Sequence, residues 1–352
     1  FALELEDELM NFSDVSYKSF VKSESEIITL FYDKFADIPL LSRMDAVAET
    51  FIDEIETLLN RDLPEEERIP LIEKFQKMYE TMDFYVLYNR FLKKEGYQTL
   101  PRRPLEKRKL RYEDVYPVLY LKYRLSRQAE RSNIKHLVID EMQDYSRLQY
   151  LIIRRMFSCK MTILGDRAQT MADQQQDVLQ FLPGIFGKDL RRIEMRKSYR
   201  NTVEIASYAA NLIGVTDLEL FERHGMPVLE RDVTDLEAAL REAVDTLFSD
   251  EKTYETAAVI VPDEKTAERA YLILREILAE KDFDCGKRLS WLNRDSSSFK
   301  KGLTVTTFYL AKGLEFDQVF SIFPKEEKRE MMMQAQYIAA TRALHELRVY
   351  HI

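Results

Sequence analysis

"IKHLVIDEMQDYSRLQYLIIRRMF" (Ile134–Phe157) passes from an apolar run into a cluster of acids and amides, then resumes an apolar pattern. Residues 136–140 read as a short buried strand ending on Asp140, with Glu141, Gln143 and Asp144 directly behind it. Charges at a strand end are costly to desolvate unless a partner meets them. A metal ion is one such partner. A helix N-terminus, with its unpaired N–H groups, is another. The spacing of residues 146–157 predicts a helix, so this stretch alone leaves both open.

A second strand, "KMTILGD" (160–166), also ends on an acid. Side by side in a parallel sheet, the two strands would bring Asp140, Glu141 and Asp166 to one rim. "RRIEMR" (191–196) reads as a third strand, and residues 202–214 as a helix closed by Gly214. Strand patterns follow at 257–262, 303–308, 318–323 and 346–352, with helices at 264–281 and through 334–344. Apolar β-branched strands alternating with amphipathic helices predict an α/β fold, with largely parallel sheets and helices on both faces. Ligands in such sheets bind beyond the carboxyl ends of the strands. That is the position this reading gives Asp140, Asp166 and residues 312–315.

Upstream, residues 1 to about 130 predict an all-helical region. One helix covers 44–60 and a longer one 69–96, with breaks at "RDLPEEERIP" (61–70) and "YQTLPRRPLEK" (97–107). The totals agree with a globular protein: 352 residues, 45% hydrophobic and 32% charged, with room for about two domains. No apolar run approaches the roughly 18–20 residues of a membrane helix, and no signal peptide is visible. Two distant cysteines and four unclustered histidines predict a reduced, cytoplasmic protein without zinc. The net charge of −9 argues against bulk adhesion to nucleic acid. Its distribution is polarised: residues 1–60 hold 14 acidic and 4 basic side chains, residues 101–135 hold 11 basic and 4 acidic. The basic stretch suits a phosphate backbone, an acidic protein surface or a solvated helix face.

Further motifs follow in order. "GDRAQT" places Gln169 three residues after Asp166. "SYRN" sets Tyr199 and Arg200 at the start of a helix. "YLAKGLEFD" brings Lys312, Gly313 and Glu315 into a strand-to-helix turn, and "YIAATRAL" sets Arg342 on a helix. An acid at a strand end can hold Mg²⁺, with a neighbouring acid to orient an attacking water.

The series "IDEMQD", "GDRAQT", "SYRN", "YLAKGLEFD" and "YIAATRA" resembles the later motifs of the UvrD/Rep-like superfamily 1 helicases, over about residues 105–352. The details look closest to the HelD-type branch, whose members bind bacterial RNA polymerase. The resemblance implies RecA-like P-loop NTPase domains with ATP and Mg²⁺ as cofactors. It implies Asp140 for Mg²⁺, Glu141 as the acid that activates water, and Gln169 as the sensor of the γ-phosphate. Tyr199 would stack on the base, and Arg200 and Arg342 would reach the γ-phosphate as fingers in cis. Glu315, with Gly313 beside it, would contact the sugar or stabilise the turn. The implied domains are a helical insertion (1–104), the C-terminal part of the first RecA-like domain (105–196) and a second RecA-like domain (197–352).

Three departures qualify the resemblance. No GxxxxGK[ST] occurs: "PGIFGKD" and "CGKRLS" have the wrong spacing. That, with a start at Phe1, makes the chain a C-terminal fragment on this reading, inactive alone, with natural loss as the alternative. After "GDRAQT" the family carries aromatics that stack on single-stranded bases, whereas this chain reads "MADQQQDV"; Tyr309 stands where relatives have His. Finally, the stretch between "SYRN" and "LTVTTF" is too short for the accessory domain of unwinding members. Two functions follow as expectations. One is part of an ATP-dependent helicase or translocase acting on single-stranded DNA. The other is an ATP-switched RNA polymerase-binding remodelling factor. Neither involves a membrane.

Overall fold

A computed structural model describes residues 4–127, 133–166, 169, 178–195, 197–215, 219–249, 254–281, 288–296, 301–325 and 330–352. The chain forms two compact units. The first is Phe1–Asp140, Tyr145–Leu164 and Val178–Asp189; the second is Glu141–Asp144, Gly165–Asp177 and Leu190–Ile352.

The first unit begins with α1 (Leu5–Glu8), the antiparallel pair β1 (Val15–Tyr17) and β2 (Phe20–Lys22), and α2 (Glu24–Thr29). Then come α3 (Arg43–Leu59), α4 (Glu65–Gln76), α5 (Phe84–Lys94) and α6 (Tyr112–Leu125). On α3 the residues Met44, Val47, Ala48, Phe51, Ile52 and Ile55 recur three and four apart, and this stripe is buried against Phe31 and Phe75. The expected all-helical region therefore also holds a hairpin. The helix predicted over 69–96 is two helices, because Met78 and Tyr79 leave the helical path to enter the core. Asp83 then starts α5 by accepting the Tyr85 N–H at 2.9 Å. Apolar residues on both sides of this break keep up the periodicity, which is why spacing alone runs the two together.

The rest of the first unit is β3 (His136–Ile139), α7 (Arg147–Met156), β4 (Lys160–Ile163) and α8 (Val178–Phe186). β3 and β4 are parallel, with Ile139 opposite Ile163, so their carboxyl ends are level. The cap of α7 is Ser146, whose hydroxyl faces the Gln149 N–H while the Gln149 amide returns to the Ser146 N–H. The acids at 140–144 are thus not the cap of this helix.

The second unit contains β5 (Lys197–Ser198), α9 (Val203–Ile213), β6 (Glu219–Leu220), β7 (Leu229–Asp232), α10 (Leu236–Ser249) and β8 (Thr256–Val261). It continues with α11 (Glu264–Ala279), β9 (Leu289–Trp291), β10 (Gly302–Thr307), β11 (Phe316–Phe323), α12 (Glu330–Thr341) and β12 (Ala343–His351). Six strands form one parallel sheet in the order β7-β12-β11-β8-β10-β9. On β8, Ala257, Val259 and Val261 face the core shared with α10 and α11. Ala258 and Ile260 face the opposite core, shared with α9 and α12. Two apolar faces on one strand explain its unbroken "AAVIV". A parallel sheet between helices on both faces is consistent with the RecA-like fold.

Four expected placements change. Residues 191–195 form no strand; the short β5 comes later, at Lys197–Ser198. The helix after "SYRN" starts at Val203, capped by Thr202, so Tyr199 and Arg200 precede it. Arg342 lies in the turn between α12 and β12, and residues 312–315 join β10 to β11 with no helix following. Glu315 and Arg342 each directly precede a strand, so they stand at the amino edge of the sheet rather than at its carboxyl end. Among the described residues no helix is long and apolar enough to cross a membrane.

Phe320 sits at the centre of β11 with no exposure. Phe320→Ala is expected to cost about 3–5 kcal/mol, through lost transfer energy and a cavity. Denaturant unfolding measures it; a loss below 1 kcal/mol would contradict this packing.

Candidate active site

The acidic loop is shaped by its backbone. Asp140 follows β3 and is exposed. Glu141 has φ +51°, the left-handed region that non-glycine residues rarely occupy, and such a residue costs roughly 1–3 kcal/mol. The Glu141 carbonyl accepts the Asp144 N–H at 2.9 Å, closing a tight turn. Gln143 is buried beneath it. Its Nε2 donates to Glu141 Oε2 at 2.6 Å and its Oε1 accepts the Asp166 N–H at 3.2 Å. Gly165 is required there: a Cβ would stand 2.4 Å from Met142 Cγ and 2.5 Å from Gln143 Oε1.

Asp166 in turn meets the amino edge of the six-stranded sheet. Its Oδ2 accepts both Gln169 Nε2 and the Tyr337 hydroxyl, each at 3.0 Å. Gln169 Oε1 then accepts Arg342 Nη2 at 3.2 Å. Arg342 is 1% exposed. Its remaining bonds go to neutral acceptors: the Ile338 carbonyl, the Leu314 carbonyl and Thr341 Oγ1. Burial lowers its affinity for its proton, and the nearby positive charge of Arg200 lowers it further; Glu141 and Glu315 oppose this. The turn carrying Arg342 is clamped on both sides by buried Asn201, whose Nδ2 donates to the carbonyls of Thr341 (3.2 Å) and Ala343 (2.7 Å).

Arg200 pairs with Glu315 at 2.8 Å, both about half exposed. Lys312 reaches Asp144 Oδ1 at 2.5 Å, tying the β10–β11 loop to the acidic turn. Gly313, at φ +76°, gives that loop its left-handed bend. Tyr199 is 60% exposed, and its ring lies 5.5 Å from that of Phe221. Parallel pairing of β5 with β6 sets the two rings together, with Lys197 Nζ within 6 Å of both centroids.

Glu141, Gln169 and Arg342, along with the Arg200–Glu315 pair, therefore gather on the second unit. Asp140 belongs to the first. Among the described residues no three His, Cys, Asp or Glu side chains converge as a metal cage. Mg²⁺ held by one or two carboxylates plus phosphate oxygens needs no such cage. Asn201, Phe221 and Tyr337 have no role in the sequence reading, and Gln143 stands there only as one member of the polar cluster behind the first strand. Gln143 and Asn201 lie inside quoted motifs, where a buried amide always needs partners. Residues 171–177 of "MADQQQDV" lie outside the described residues. A separate cleft of about 440 Å³ is lined by Thr202, Arg223, His224, Tyr254, Asp317 and His345, and holds none of the predicted site residues.

Residues 5–171 match the UvrD/REP helicase N-terminal domain, and residues 302–350 the UvrD-like helicase C-terminal domain. Among solved structures the chain is similar to the C-terminal domain of a possible DNA helicase from Lactobacillus plantarun WCFS1. Identity there is 24%, over 44% of this chain and 88% of that one, with a TM-score of 0.35. It is also similar to the PRRSV helicase, at 17% identity over 62% of this chain and a TM-score of 0.34. The arterivirus nonstructural protein 10 helicase, solved with DNA, shows 14% identity over 64% of this chain and a TM-score of 0.33. The chain spans 35% and 40% of those two viral chains. No curated protein matches it.

Two outcomes are expected. Gly165→Ala must push Met142 and Gln143 aside and break the bond to the Asp166 N–H, costing about 1–3 kcal/mol by unfolding; an unchanged stability would rule out this close approach. Glu204 accepts hydrogen bonds from His224 (2.9 Å) and the Gly225 N–H (2.8 Å), and these, His224 first, hold its carboxyl at about 2, below its ordinary 4.5. A depressed carboxyl stabilises the fold above pH 4.5, and that contribution disappears as pH falls towards 2. Melting temperature against pH should therefore fall less steeply across this window in Glu204→Gln than in the wild type.

Proposed function

We propose that this chain supplies the second half of an ATP-binding site, and part of the first, in a superfamily 1 motor. The observation that carries this is Arg342: a buried guanidinium with neutral acceptors, beside a second arginine. Two cations held close, one of them out of water, favour a polyanion between them. A triphosphate has that charge, and its hydrolysis would remove the bridging γ-phosphate.

On this reading Asp140 holds Mg²⁺, which neutralises charge on the phosphates. Glu141 takes the proton of the attacking water. Gln169 faces the γ-phosphate with Arg342 on its other side, and Arg200 releases Glu315 to reach the same group. The sugar is left to Glu315, in the loop that Gly313 bends. Tyr199 offers a ring to the base, with Phe221 extending the platform. Because the chain carries no GxxxxGK[ST], it is expected not to turn over ATP by itself.

A second reading concerns biological role. The segment after Gln169 lacks the aromatic residues that stack on single-stranded bases, worth roughly 1–3 kcal/mol per base. That favours a HelD-type factor, in which ATP switches binding to RNA polymerase and unwinding is minor.

One experiment separates these. ATP hydrolysis by the full-length protein, wild type against Glu141→Gln, is measured alone, with single-stranded DNA and with RNA polymerase. Loss of a positioned base is expected to cost roughly 10²–10⁴-fold. Stimulation by DNA supports the motor, and stimulation by polymerase alone supports the remodelling factor. No turnover by the full-length wild type would overturn both.

A further inference from the structure

We infer that Tyr337 is a positioning residue, whose hydroxyl fixes the orientation of the Gln169 side chain towards Arg342. The inference rests on the ATPase reading above, and deepens it by adding a residue that touches no phosphate.

A carboxylate accepts only, and a guanidinium donates only. Gln169 lies between Asp166 and Arg342, so its NH₂ must face Asp166 and its carbonyl must face Arg342. The observed bonds are Nε2 to Asp166 Oδ2 at 3.0 Å and Arg342 Nη2 to Oε1 at 3.2 Å. A flipped amide would set NH₂ against a guanidinium, two donors facing each other in a buried place. The orientation of Gln169 therefore depends on where Asp166 holds its oxygen.

Asp166 Oδ2 is shared between Gln169 and the Tyr337 hydroxyl, which donates at 3.0 Å. The Tyr337 ring packs against the apolar core between the sheet and α12, so its place does not depend on the hydroxyl. Burial, and then the charge of Asp166, raise the phenol well above its ordinary value, so it remains a donor throughout the neutral range. Removing this O–H takes one donor from Asp166 Oδ2 and so weakens the hold on Gln169. Tyr337 and Arg342 lie five residues apart on the same helix and turn. One short segment thus carries both the cation and the group that orients its amide acceptor.

The test uses Tyr337→Phe, which deletes one hydroxyl and keeps the ring. In the full-length protein kcat for ATP should fall roughly tenfold, with KM changed less than about twofold. Tyr337→Phe added to Gln169→Ala should cost nothing further, because both act through one amide. A purely structural tyrosine would lower the melting temperature and leave kcat per folded molecule unchanged; that result, or additivity with Gln169→Ala, overturns the inference. A thermal-unfolding cycle of Tyr337→Phe and Asp166→Ala in the 352-residue chain tests the contact without any activity. Coupling there, with no turnover in the full-length wild type, would keep the contact and discard the ATPase reading. Absence of coupling would discard the contact itself.

Discussion

A guanidinium stays charged in any protein, so burying Arg342 obliges its surroundings to answer the charge. They answer with oxygens that carry no charge: two backbone carbonyls, a threonine hydroxyl and the Gln169 amide. Neutral acceptors satisfy donors but leave the charge largely uncancelled. Much of the local architecture follows from this. Asn201 clamps the turn from both sides, Leu314 brings a carbonyl from the β10–β11 loop, and Gln169 arrives from the loop after β4.

The acidic turn obeys a similar constraint. Gln143 is a buried amide, and its two ends are satisfied by Glu141 and by the Asp166 backbone. That bond requires the two loops to approach more closely than any side chain at 165 would permit, hence Gly165. The same approach aligns Asp166 for Gln169 and Tyr337. Glycine, amide, acid and amide form one chain of dependence, and each step is fixed by the need to pair a buried polar group.

The α/β class is readable because β8 buries both faces and so appears as the unbroken apolar run "AAVIV". The acids after β3 are readable because charge directly behind an apolar run is unusual, although β3 itself buries only Ile139 fully and leaves Val138 60% exposed. Other features carry no comparable signal. β7, "LERD", is exposed at every residue, so no apolar alternation marks this edge strand. The break between α4 and α5 is hidden because Met78 and Tyr79 are apolar and serve the core from an irregular backbone. The spacing of "YIAATRA" carries the helical pattern through Arg342. The helix ends one residue sooner, as the chain turns to enter β12. Tyr337 was invisible for a different reason: a tyrosine on an apolar helix face looks like packing, and only the position of its hydroxyl says otherwise.

The site residues also divide by what they need from the fold. Tyr199 and Phe221 require only the short β5–β6 pairing, and both remain accessible. Glu141, Gln169 and Arg342 require three separate segments to meet, and are mostly buried where they do. A contact surface of exposed rings tolerates small displacement, since stacking is broad in angle and distance. A buried guanidinium with an oriented amide does not, because a shift of one ångström turns a hydrogen bond into an unpaired donor. Sensitivity to displacement is thus concentrated at Arg342 and Gln169. Through Asp166 and Tyr337 the bonds between Arg342 and Gln169 are joined directly to helix α12.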